Sequence, residues 1–272
     1  MIRFNRWQDG KTKALTLSYD DGHICDTRLT EIFNANGLKA SFHLNSGFFN
    51  REGETRFDDY VHADNVRGVY AGHEISQHSV FHPALTEIPR EELIDQMLSD
   101  RKALEAFAQY PVRGMSYPFG IFNDDIIPML KALGVEYART IRSTGSFAIP
   151  EDFMRWDPTC HHNDRLLERT DDFLALSGGN RGGLALFYVW GHSFEFDPDN
   201  NWDMIETFAE RIGGKPDIYY ATNIEIMDYL IALCALRFSA DRRMVYNPSA
   251  IPVWFTDEYE PVCVKPGETK HL

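Results

Sequence analysis

Long apolar runs, cysteine pairs and excess positive charge are all missing from this chain, and each absence narrows what it can do. No hydrophobic stretch approaches the ~20 residues that a membrane helix needs, so no membrane partner is expected. The four cysteines, Cys25, Cys160, Cys234 and Cys263, form no C-x-x-C pair and match no disulfide framework or zinc ribbon, so reduced, mostly buried thiols are expected. The opening residues Met-Ile-Arg-Phe-Asn-Arg-Trp-Gln-Asp-Gly hold no apolar core and no small-residue cleavage site. The expectation is therefore a cytoplasmic protein, although a chain already trimmed of a leader would read the same way. Acidic residues outnumber basic ones, 41 to 27, for a formal charge of -14 and a pI near 5.1. Nucleic acid and anionic membrane surfaces both need positive potential, so neither is an expected partner. A neutral substrate such as a sugar stays open. No G-x-S-x-G is present, which disfavours a serine hydrolase of the α/β type. The run Gly178–Gly183 lacks the Lys and Ser/Thr of a phosphate loop and reads as a turn. There is no internal repeat and no low-complexity segment.

What is present is an ordinary globular balance over 272 residues, 43% hydrophobic and 25% charged, enough for one α/β domain with a small appendage. Short β-rich runs alternate with helical patterns. Strands are expected at Ala14–Tyr19, Ala40–Leu44, Glu74–Gln77, Gly114–Tyr117, Val135–Ile141, Leu184–Trp190 and Ile218–Ala221. Helices are expected at Asp26–Asn36, Arg90–Gln109, Asp124–Leu133, Asp164–Leu176, Trp202–Ile212 and Ile224–Leu236. Ser46–Gly72 is a long, weakly periodic insertion of the kind that is usually functional. About seven serial β-α units imply a barrel-like parallel sheet over residues 1–238, with chemistry at the C-terminal strand ends. Residues 239–272 carry short β-like pieces and read as a β-rich extension packed on that barrel.

Four polar clusters fall at such strand ends. In Ser18-Tyr19-Asp20-Asp21-Gly22-His23, two carboxylates follow an apolar strand. Adjacent strand-end side chains diverge, so one can hold a metal while the other contacts a bound water; an Asp-Gly turn with solvated carboxylates is the plain alternative. In His78-Ser79-Val80-Phe81-His82-Pro83, histidines four apart would share one face of a helical turn and one ion. Two histidines with one carboxylate form a common hydrolytic metal set, for which zinc is the first choice and cobalt or nickel would also fit.

Together these two motifs, in this order, resemble the polysaccharide deacetylase family (carbohydrate esterase family 4), which carries T-F-D-D-G and H-[ST]-x-x-H-P. The resemblance extends over Thr12–Leu236 and implies a distorted (β/α)7 barrel. It assigns Asp20 as catalytic base and Asp21, His78 and His82 as metal ligands. The family's R-x-P-[YF]-G is met by Ser116-Tyr117-Pro118-Phe119-Gly120, with Ser116 where the family has the arginine that orients the base. Arg155 is the expected substitute donor, and the Phe119 N–H falls at the oxyanion position. Tyr117 and Trp156 are expected to line the groove. Trp156 reads equally well as a core residue, and Asp157 is expected to orient a histidine. His192, after the strand Leu184–Trp190, corresponds to the catalytic acid, with Asp157 or Glu195 as the carboxylate that keeps it protonated. Cys160-His161-His162 reads as a loop, because adjacent residues do not easily chelate one ion.

The implied activity is metal-dependent removal of acetyl or other acyl groups from an N- or O-acetylated carbohydrate. A small-molecule amide or cyclic-imide hydrolase, and a carbohydrate-binding relative that has lost catalysis, are the competing readings.

Overall fold

The computed structural model describes residues 1–49, 58–178 and 182–272. Part of the Ser46–Gly72 insertion and the centre of the Gly178–Gly183 turn therefore lie outside the described residues. Seven parallel strands build the sheet: β1 (Lys13–Asp21), β2 (Ala40–Leu44), β3 (Glu74–Gln77), β4 (Gly114–Ser116), β5 (Tyr137–Arg139), β6 (Cys160–His161) and β7 (Ala185–His192). Their order is β5-β4-β3-β2-β1-β7-β6, and an eighth strand, β8 (Ile218–Tyr220), pairs with β1 at Lys13–Leu15. The two free edges are drawn together. Trp156 N–H donates to Ala138 O, and Thr140 N–H donates to Trp156 O, while Thr159 N–H just beyond donates to Tyr188 O on β7. The segment leading into β6 thus pairs with β5 on one side and β7 on the other, which closes a distorted (β/α)7 barrel.

β1 is the axis of the fold. Eight of its nine residues are buried, because both faces of a parallel barrel strand are covered. Around the barrel lie α1 (Asp26–Ala35), α2 (Val66–Val69), α3 (Arg90–Ala108), α4 (Ile126–Ala132), α5 (Leu166–Ala175), α6 (Trp202–Ile212) and α7 (Asn223–Cys234). The long helix α3 starts after Pro89 with Glu91 and Glu92 in its first turn, charges that favour the positive end of the helix dipole. At the opposite polarity, the buried Lys13 ammonium donates to the Leu174 and Leu176 carbonyls, near 3.1 and 3.3 Å, at the C-terminal end of α5. Among the described residues no helix is long and apolar enough to cross a membrane.

The remaining strands are antiparallel. β9 (Arg237–Phe238), β10 (Met244–Tyr246) and β13 (Thr269–His271) form one sheet, and β11 (Val253–Asp257) pairs with β12 (Glu260–Val264). Val245, Val253, Phe255 and Val264 share a core with Trp7, Tyr229 and Leu233. Strand β6 is not legible in the sequence because two residues offer no periodicity to detect. β9, also two residues, is hidden for the same reason, and β13 spans only three.

Candidate active site

The C-terminal ends of β1, β3, β4, β5 and β7 converge on one cluster. Asp20 and Asp21 close β1, and Asp21 sits at φ 80°, in the left-handed region, so its carboxylate departs from the strand direction of Asp20. His78 follows β3. The stretch from His78 to His82 is an irregular turn and not the helical turn expected, with Ser79 at φ 67° and His82 at φ 56°. The two rings still meet, with centroids 4.6 Å apart. Buried groups hold that turn. Asn45 Nδ2 donates to the His78 and Ser79 carbonyls at 2.6 and 2.8 Å, and the Asp100 carboxylate on α3 accepts the His78 N–H at 3.2 Å.

The resulting triad is geometrically suited to a cation. His78 Nε2 and His82 Nε2 stand 3.6 and 3.8 Å from Asp21 Oδ1, beyond hydrogen-bond range, and all three ligand atoms lie within 4.8 Å of one another. Asp21 Oδ1 is buried without a hydrogen-bond partner. Burial, and then the neighbouring Asp20 charge, raises the Asp21 carboxyl above its ordinary range, a strain that a cation would relieve. His78 is prepared as a ligand. Its Nδ1 lies 2.9 Å from the Ser116 carbonyl, which requires the proton on Nδ1 and leaves the Nε2 lone pair toward Asp21. Burial pushes the His78 pKa down to about 3, so the ring is neutral.

Asp20 is the partner of Arg139, not of Arg155. Arg139 Nη2 donates to Asp20 Oδ2, Arg139 Nε donates to Ser18 Oγ at 3.0 Å, and the guanidinium lies 4.3 Å above the Trp190 ring. Ser116 Oγ adds a hydrogen bond to Asp20 Oδ1 at 3.2 Å. Burial works to raise the Asp20 pKa, but Arg139 first, with the surrounding histidines, holds it well below the usual carboxylate range. Arg155 is at the surface, where it binds Asp152 and Asp124.

Other expected positions are corrected in the same way. Trp156 is 1% exposed and packs edge-on against Tyr137, Phe153 and Tyr188, so it is a core residue and no groove wall. Tyr117 is also buried, donating to Met154 O at 2.9 Å and stacking on Phe122. Asp157 binds Thr140 and Arg142 and faces no histidine. Phe119 does reach the site. Its residue sits at φ 58° in the turn after β4, and its ring, 59% exposed, meets His82 edge-on at 4.3 Å.

His192 closes β7 as the register partner of Asp20. Its carboxylate is Glu195, with Oε1 3.2 Å from His192 Nδ1. Burial disfavours the charged ring, but Glu195, Asp20 and Asp21 outweigh it and the His192 pKa is raised. His161 and His162, read as a loop from sequence, also face Glu195. Arg139 is the partner of Asp20 that the motifs do not reveal, although a signal exists: a lone arginine in the strand Val135–Ile141, at the same end as the DD pair.

Residues 8–138 match the family described as polysaccharide deacetylase. That span holds Asp20, Asp21, His78, His82 and Ser116; Arg139 lies just past it and His192 and Glu195 further on. A chitooligosaccharide deacetylase from Bradyrhizobium sp. (strain ANU 289) is 25% identical over 130 residues, which is 46% of this chain. The chain spans about half, 55%, of the length of that relative. Among solved structures, a candidate polysaccharide deacetylase from Mycobacterium smegmatis shares the fold at a TM-score of 0.61 and 17% identity, over 85% of this chain and 94% of the other. A mutant of a CE4 family pseudoenzyme with restored enzymatic activity, from Bacillus anthracis, gives a TM-score of 0.50 at 20% identity, over 79% of this chain and 67% of that one. By its matched segment and its ordered motifs the chain is similar to the polysaccharide deacetylase family over residues 8–138, and its barrel shares the fold of solved relatives.

Proposed function

We propose that this chain is a divalent-metal-dependent hydrolase that removes acetyl groups from an N- or O-acetylated carbohydrate. The observation that carries the reading is the Asp21–His78–His82 triad lying beside an Asp20 that Arg139 holds ionised. Asp21, His78 and His82 would hold the ion, with zinc the first choice and cobalt or nickel suited to the same ligands. When bound there, a divalent ion acidifies water and polarises an acyl carbonyl.

The protein's own groups supply the proton traffic. Asp20 is charged throughout the neutral range, so it can accept the proton of the attacking water. Its low basicity suits a proton donor that is itself acidified. His192 stands opposite Asp20 on the adjacent strand. With Nδ1 turned to Glu195, its Nε2 is the nitrogen left to protonate the departing amine or alkoxide. Phe119 supplies an exposed apolar wall over His82, and its backbone N–H is the group that the family pattern assigns to the oxyanion.

The Arg139–Asp20 pair weighs against a binding protein that has lost catalysis, because a metal-stabilised scaffold needs no ionised base beside its ligands. The test is acetate release from a panel of N-acetylated oligosaccharides and O-acetylated glycans. The panel is run with chelator-treated protein and again after zinc, cobalt or nickel is restored. Turnover that chelation abolishes, metal restores and Asp20→Asn removes is the expected result. Release that survives chelation, or that Asp20→Asn leaves unchanged, rejects the reading.

A further inference from the structure

A second set of ligand-type side chains stands beside the first, where β6 and β7 end. His161 and His162 are consecutive, and Glu195 lies in the turn after β7. Their ligand atoms all fall within 4.8 Å of one another. His161 Nε2 and His162 Nε2 are each 3.1 Å from the same oxygen, Glu195 Oε2, while Glu195 Oε1 faces His192 Nδ1 at 3.2 Å.

At His162, distance alone would suit an N–H···O bond, but direction does not. His162 is 0% exposed, yet neither of its ring nitrogens has a hydrogen-bond partner, although a carboxylate oxygen stands 3.1 Å from Nε2. The oxygen is close enough and lies off the axis along which the N–H would point. Two ligands of one tetrahedral ion have this relation to each other. With metal–ligand bonds of about 2.0–2.1 Å, ligand atoms lie roughly 3.3 Å apart, and each lone pair points at the ion instead of at the other ligand.

The packing fixes the arrangement. The His162 ring lies stacked between Tyr19, at 5.7 Å, and Phe196, at 4.3 Å. Gly191 makes room for it, since a Cβ there would lie 2.0 Å from His162 Nδ1. His161 packs edge-on against Trp190 at 4.7 Å, and its side chain is 21% exposed, which leaves a path from solvent.

We propose that His161, His162 and Glu195 form a second divalent-cation site, separate from Asp21–His78–His82, with a fourth position open to solvent. The imidazole and carboxylate donors suit zinc or another first-row ion of similar preference. Glu195 then places the ion beside His192, whose backbone N–H donates to Oε2 at 3.2 Å and whose Nδ1 faces Oε1. The second ion sets the orientation of His192 without touching substrate. Coordination through Nε2 moves the His161 proton to Nδ1, so the Asn163 N–H contact there, at 3.2 Å, gives way to water. The proposal goes beyond the deacetylase reading and does not depend on it.

The test is zinc stoichiometry of the full chain, stripped with chelator, dialysed and titrated with zinc, then measured by elemental analysis. Wild type is expected to hold two zinc ions per chain. His161→Asn and Glu195→Gln are each expected to hold one, His82→Gln one, and His82→Gln combined with His161→Asn none. His161 is partly exposed and asparagine is smaller than histidine, so its replacement should leave the circular dichroism unchanged. A wild type with one zinc that His161→Asn does not lower overturns the second site, as does a count of two that neither His161→Asn nor Glu195→Gln reduces. If His161→Asn lowers the count and His82→Gln does not, the second site stands and the metal centre of the deacetylase reading fails.

Discussion

Arg139 and Ser116 stand opposite each other as register partners at the ends of β5 and β4. Both reach Asp20, Arg139 at Oδ2 and Ser116 at Oδ1. The cation that the family motif places on β4 has its counterpart one strand over, in the position directly across the ladder. Ser116 keeps a second task that an arginine would perform differently: its hydroxyl lies 2.7 Å from His78 Nδ1. It thus ties a metal-ligand candidate to the candidate base.

This pairing predicts a rescue. Arg139→Ser leaves a buried carboxylate without its counter-charge, a change that typically costs about 3–5 kcal/mol when one partner of a buried pair is removed. Turnover should fall by roughly 10²–10³, the scale of losing one preorganised charged group at a reacting centre. Adding Ser116→Arg to that variant returns a guanidinium to the same carboxylate from the neighbouring strand, and should recover at least about tenfold of the loss. Acetate-release kinetics on the single and double variants check this. A double variant no better than Arg139→Ser shows that the position, and not the charge, is what matters.

The two adjacent aspartates should separate by metal content. Asp21→Asn keeps a residue that tolerates the left-handed backbone at φ 80°, so it should fold. It removes an anionic ligand and should lose one equivalent of zinc together with turnover. Asp20→Asn should retain that equivalent while turnover falls by about 10²–10⁴, the range for removing a general base. Elemental analysis beside acetate assays distinguishes the two; equal zinc loss in both would make Asp20 a ligand.

Much of this site is legible in the sequence, and the limits of that legibility have physical causes. Asp20, Asp21, His78, His82 and His192 sit in short ordered motifs at strand ends, where the local sequence carries the signal. Arg139 satisfies Asp20 across 119 residues, and local spacing carries no record of such a contact. Trp156 and Asp157 are ambiguous in sequence because a strand-end aromatic can turn inward or outward. Here the segment is recruited to close the barrel between β5 and β7, which buries the indole. The His161–His162 pair reads as a loop on the rule that adjacent strand residues diverge. β6 ends at His161, so the chain is free to turn there and the ring centroids come to 4.4 Å.

Gly191 tests how tightly the β7 end is packed. It sits between Trp190 and His192, and a methyl group would overlap His162. Gly191→Ala should therefore displace His162 and its stacking on Tyr19 and Phe196. Overpacking of this kind costs about 1–3 kcal/mol, a fall in Tm of roughly 3–10 °C for a chain of this size. Calorimetry measures it. A Tm equal to that of wild type means the ring has another place to go, and the packing argument fails.

The last prediction concerns pH and a carboxyl far from the metal ligands. Glu74 on β3 is buried in the barrel, where it accepts from Ser41 Oγ at 2.6 Å, Tyr137 OH at 2.8 Å and the Ile224 N–H at 3.0 Å. Burial pushes its pKa up to about 7, and the three donors only partly offset that. From about pH 4.5 to pH 7 the folded protein holds a proton that the unfolded chain has released. The Glu74 contribution to stability is thus fully present below pH 4.5 and is lost as pH rises through 7. The shift corresponds to a contribution of about 3 kcal/mol. Buried histidines such as His43, pushed down to about 3, titrate with the opposite sign and mask the effect in wild type. A difference measurement removes them. Glu74→Gln copies the neutral form, so its Tm relative to wild type should climb by several degrees between pH 5 and pH 8. A difference that stays flat, or falls, means Glu74 is ionised in the folded barrel throughout that range.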